Sequence, residues 1–78
     1  MAGNIIHVAE GAHRLMPAPW VLVRLAADQY RVTVNDPRNP NPVTLSERFD
    51  SFWAALLNAR VRAGNLGVPV HTVRREDA

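Results

Sequence analysis

Seventy-eight residues, 47% of them hydrophobic, make one domain near the lower size at which an apolar core holds together without metals or cross-links. The lack of cysteine excludes a disulfide framework, a thiolate zinc site and a thiol nucleophile. All nine basic residues are arginine and the formal net charge is only +2, so the isoelectric point near 10.5 reflects the scarcity of groups titrating between histidine and arginine, not a nucleic-acid signature.

Charge is nevertheless uneven. Residues 1 to 75 hold every arginine against Glu10, Asp28, Asp36, Glu47 and Asp50, while Glu76 and Asp77 offset part of this at the tail. The start lacks the basic segment of an export signal, and no apolar run approaches the roughly 20 residues that span a bilayer, so the expectation is a soluble, cytoplasmic chain.

In chain order, Asn4 to Ala9 carries Ile5, Ile6 and Val8 and predicts a short first strand. Gly11, Pro17 and Pro19 make the next stretch a loop. Trp20 to Leu25 and Tyr30 to Asn35 are rich in Val, Leu, Tyr and Thr around a polar tip, which predicts a hairpin. Centring the turn between Ala27 and Asp28 opposes Leu25 to Tyr30, Val23 to Val32 and Val21 to Val34 on one face, because strand side chains alternate sides. A slip of one residue would mix that face with Arg31 and Thr33. The tip has no Asn-Gly or Gly-X pair, so a four-residue loop, Ala26 to Gln29, is expected.

Residues 36–43 are a stiff proline-rich connector. Thr44 and Glu47 have capping-box spacing and Gly64 offers a stop, which predicts a helix over 45–63. Leu45, Phe49, Phe52, Trp53, Leu56, Leu57 and Val61 recur at three- and four-residue steps and form its apolar side, with Trp53 at the centre of the expected core. Gly64-Asn65-Leu66-Gly67 resembles a C-cap with a hydrophobic return contact. A last strand follows over 68–74; Pro69 puts it at a sheet edge or starts it outside the ladder, and Arg74 to Ala78 is expected to fray.

The order β-β-β-α-β implies an α+β fold, a two-layer sandwich with a mainly antiparallel sheet and one helix on one face. Over about residues 20 to 74 this layout is similar to small antitoxin and adaptor domains built on a truncated ribonuclease-H-like or double-stranded-RNA-binding-like sheet, a likeness of topology only.

The other hairpin face carries the candidate partner-binding residues. The register sets Trp20 against Asn35, Leu22 against Thr33 and Arg24 against Arg31, and Arg38 follows in the connector. Two arginines directly opposed repel each other, and a phosphate, a carboxylate of another chain, or Glu10 of this one would relieve them. The competing reading has both arginines in water, their stems shielding Leu22. Trp20 and Leu22 on an uncovered face also predict a homodimer, through that face or an edge strand.

No catalytic motif is present, so the chain reads as a non-enzyme without cofactor. His7, His13 and His71 match no ligand spacing, and no metal is expected. The resulting expectation is a small interaction or adaptor protein, of the kind carried by phages and mobile elements, that binds a macromolecular partner or itself through an open sheet face. The alternative is a module for RNA or single-stranded DNA using the same basic and aromatic residues.

Overall fold

The hairpin seeds the architecture. In the computed structural model, which describes residues 5–73, β2 (Trp20–Ala26) and β3 (Gln29–Asn35) pair antiparallel in the expected register, Val21 against Val34, Val23 against Val32 and Arg24 against Arg31. Ala26 also pairs with Gln29, so the tip is a two-residue turn and not the expected four-residue loop. Ala27 supplies it by taking a φ of 57°, the left-handed conformation usually left to glycine or asparagine. Nothing in the residue type announces that choice.

Around the hairpin lie β1 (Ile5–Val8), β4 (Val43–Thr44), β5 (Val70–Val73) and the helix α1 (Phe52–Leu66). The strand order is β1-β5-β2-β3-β4. β5 lies between β1 and β2 and runs parallel to both, while β3 is antiparallel to β2 and to β4. The α+β class holds, but the sheet is mixed where a mainly antiparallel one was expected. The cause is α1, which carries the chain back across the sheet so that β5 re-enters alongside β2 in the same direction. Pro69 sits just before β5, outside the ladder, so the strand is interior despite its proline. Asn4 and the tail Arg74 to Ala78 lie outside the described residues.

The helix begins seven residues later than the capping-box reading places it. Ser51, not Thr44, is the N-cap, its Oγ accepting from the Ala54 N–H at 3.0 Å. The segment before it stays extended because it completes the outer edge of β3. Leu45 N–H donates to Val32 O at 2.9 Å, and Phe49 exchanges two backbone bonds with Tyr30 at 2.7 and 3.0 Å. Winding 45–49 into a helix would leave those β3 groups without partners. At the far end the helix passes through Gly64 and stops at Gly67, whose φ of 71° forms a left-handed cap, with Val68 N–H returning to Ala63 O at 3.0 Å. The expected Gly-Asn-Leu-Gly cap is therefore present, and its stop is the second glycine.

The side of α1 that faces the sheet also differs from the one its large apolar residues mark. Ala55, Leu56, Ala59 and Ala63 are fully buried against Val21, Val23, Val32 and Val70, with Tyr30, Phe49 and Phe52 at the margin. The hairpin face beneath the helix is the expected one. Trp53, expected at its centre, is 68% exposed, and Leu57 and Val61 also point outward. Alanines take the inner side because the sheet below presents a bed of branched valines, against which a short side chain lets the helix sit close.

Candidate binding recess on the second sheet face

Strand alternation puts Trp20, Leu22 and Arg24 of β2, Arg31, Thr33 and Asn35 of β3, and His71 of β5 on the face away from α1. That face is not open, as the sequence led one to expect. Trp20 is 2% exposed and Leu22 1%. The loop between β1 and β2 covers them with a single 3-10 turn, Ala12–Leu15, entered through Gly11 at a φ of 85°. The His13 ring meets Trp20 edge-on at 5.5 Å between centroids. This cover is lightly held, since none of its four residues is buried and Leu15 is 89% exposed.

Between the cover and the β2-β3-β4 part of the sheet lies a recess of about 400 Å³. Trp20, Leu22, Met16 and Pro42 give it apolar walls, and His13, Arg14, Arg24, Thr33, Asn35 and Thr44 its polar ones. Among the described residues no carboxylate lines it. Thr33 and Thr44 share a hydroxyl hydrogen bond of 2.9 Å. Arg24 meets Glu10 at 3.3 Å, the internal acid foreseen for it, and both side chains remain substantially exposed. Arg31, opposite Arg24, donates from Nη2 to Leu45 O at 2.9 Å.

Of the six residues expected to bind a partner, Trp20, Leu22, Arg24 and Thr33 line the recess and Arg31 adjoins it. Arg38 does not. It folds onto Asp36 in the connector, with Nη2 at 2.6 Å, and that guanidinium holds the Asp36 carboxyl below the usual range. The sequence reading singles out neither Arg14 nor, except as a rejected metal ligand, His13, because both sit on a covering turn that no periodicity marks.

Among the described residues, five buried side-chain nitrogens have no hydrogen-bond partner: His13 Nδ1, Trp20 Nε1, Arg24 Nε, Arg31 Nε and His71 Nδ1. All five belong to this face or its cover. The indole and guanidinium nitrogens are donors and the two imidazole nitrogens donate or accept by tautomer; each buried polar group left unpaired costs about 1–3 kcal/mol, so a small domain concentrates its unsatisfied polarity here.

Burial holds the His13 imidazole below its ordinary pKa, assisted by Arg24 and Arg14 and opposed by Glu10; burial alone lowers His71. Both depressions have the same consequence. The unfolded chain takes up a proton near pH 6.5 before the native state does, so stability is complete above that value and falls as pH drops through the folded pKa values. The urea midpoint should therefore be lower at pH 5 than at pH 7.5, and His13→Gln with His71→Gln should flatten that dependence. His7 instead makes a 2.6 Å hydrogen bond through Nδ1 with Thr72 Oγ1, and no group of three metal-ligating side chains occurs among the described residues.

The outer side of α1 is a second exposed feature. Trp53, Leu57 and Val61 form a row four residues apart, flanked by exposed Arg60. Arg62 turns aside to Asn58 Oδ1 at 3.1 Å. No helix is long and apolar enough to cross a membrane among the described residues.

No protein-family model, no curated protein and no solved structure shows significant similarity to this chain.

Proposed function

We propose that the protein is a small non-enzymatic interaction module, an adaptor that engages a macromolecular partner through the second face of its sheet. The observation that carries this reading is that all five unpaired buried nitrogens lie on this face or its cover, three of them (His13 Nδ1, Trp20 Nε1 and Arg24 Nε) on residues lining one recess that also holds Arg14 and, among the described residues, no acid. Such a surface favours a partner that brings acceptor oxygens. Its arginines supply orientation and encounter rate, and Trp20 and Leu22, buried under the cover, add contact area when the turn Ala12–Leu15 moves aside.

Nucleic-acid binding is the second reading, favoured by the three arginines of the face and its cover, Arg14, Arg24 and Arg31. It has less support. Trp20, the aromatic that would stack on a base, is buried, and Arg38 is occupied by Asp36.

The test is a pull-down from host lysate, with and without nuclease, using the native chain and the Arg24→Glu/Arg31→Glu double variant. A nuclease-resistant partner that the double variant loses, by at least about 100-fold in affinity when two charges of this face are reversed against an acidic surface, supports the adaptor reading. Nuclease-sensitive capture with a steep salt dependence supports the second. Capture unchanged in a still-folded double variant removes the face from consideration.

A further inference from the structure

We infer that the recess is a carboxylate site, built to take a carboxylate carried on an apolar body, such as the C-terminal residue of a peptide or a small free organic acid. This rests on the reading of the second face as the binding surface and names the group it recognises.

Three features of the recess point to that chemistry. First, its arginines suit a planar, singly charged group: a guanidinium presents parallel N–H donors that match the two oxygens of a carboxylate. The same fork accepts a phosphate, but the glycine-rich backbone cradle that many phosphate sites add is absent from the sequence, so phosphate is the competitor the experiment has to exclude. Second, the walls are mixed in the way small-molecule sites are mixed. Trp20, Leu22 and Met16 are apolar and stand beside Arg24, Thr33 and Thr44, in a volume of about 400 Å³ that holds a side chain or a small ring.

Third, the protein already places a carboxylate on the key arginine. Glu10 reaches Arg24 at 3.3 Å from the β1 side, yet it does not line the recess and its bridge is largely solvent-exposed. An ion pair so exposed contributes little to stability, so an incoming carboxylate displaces it at small cost. Glu10 thus acts as an internal competitor for Arg24. Entry requires the cover to shift, and the turn Ala12–Leu15, with no buried residue, is only lightly anchored. Once bound, the anion faces His13 and Arg14 from the cover and Arg24 from β2, with Glu10 beyond Arg24, Arg31 opposite Arg24 on β3 and His71 opposite Leu22 on β5. It favours protonated His13, so binding strengthens as pH falls from 7.5 toward 6.

The experiment uses the full chain carrying Trp53→Phe, which leaves Trp20 as the lone indole reporter. Four probes are titrated while Trp20 emission and the melting temperature are followed: benzoate, acetyl-Leu-Phe with a free C-terminus, the same dipeptide as its amide, and inorganic phosphate. The expected result is saturable binding of benzoate or the free-acid dipeptide, at least tenfold weaker for the amide and for phosphate. Arg24→Gln should weaken it tenfold or more while still melting cooperatively, and Glu10→Gln should tighten it. Preference for the dipeptide over benzoate assigns a peptide terminus, and the reverse assigns a free acid.

Equal binding of acid and amide, stronger binding of phosphate, indifference to Arg24→Gln, or no saturable response overturns the inference. If no probe binds but the Arg24→Glu/Arg31→Glu variant still loses its lysate partner, the carboxylate assignment fails while the adaptor reading stands. If the probes bind and that variant keeps its partner, the adaptor reading fails and the site stands.

Discussion

Trp20→Ala should destabilise the protein by about 3–5 kcal/mol, the usual loss for a buried aromatic, while Trp53→Ala should cost less than about 1 kcal/mol. The two tryptophans exchange the roles that hydrophobic periodicity assigns them: Trp20 is 2% exposed under the loop cover, Trp53 is 68% exposed on the outside of α1. A domain of this length has about 4–12 kcal/mol of total stability at typical per-residue values, so the first substitution removes much or all of it. Trp20→Phe separates packing from polarity. It keeps a ring against His13 and deletes the unpaired indole N–H, whose burial itself costs about 1–3 kcal/mol, so its penalty should be small. Urea unfolding followed by circular dichroism measures all three. A Trp53→Ala variant as unstable as Trp20→Ala would place the core on the wrong side of the helix.

What the sequence disclosed, and what it concealed, divides along physical lines. The hairpin register was legible because Val21, Val23, Val32 and Val34 fit only one alternation, and a one-residue slip would have put Arg31 under the helix. The C-cap was legible because Gly67 occupies a backbone conformation that other residues resist. The helix start was not. Thr44 and Glu47 match a capping box, but the backbone of 45–49 is claimed by the edge of β3, a competition between segments distant in sequence that no local pattern records.

The orientation of α1 failed for a related reason. Periodicity weighs large side chains, and Trp53, Leu57 and Val61 outweighed Ala55, Ala59 and Ala63, although only the alanines let the helix lie close to a valine bed. Of the recess, the strand-borne residues could be named from the register. His13 and Arg14 could not, because their place depends on how a proline-bounded loop folds back over Trp20.

The same close seating gives the second large effect. Ala59 is fully buried where α1 meets the sheet, and Leu56 beside it is the largest side chain of the helix that is fully buried. Leu56→Ala should cost about 2–5 kcal/mol, because the surrounding valines are held by the strand ladder and collapse poorly into the space left behind. Ala59→Leu should be destabilising too, by about 1–3 kcal/mol, since added methylenes at a helix–sheet contact force the helix outward or its neighbours off their rotamers. The penalty arises because alanine sets the distance between the layers. A thermal melt of each variant decides the matter: Ala59→Leu at or above the native midpoint would mean that the helix has room beneath it, and that its alanine side is not what joins it to the sheet.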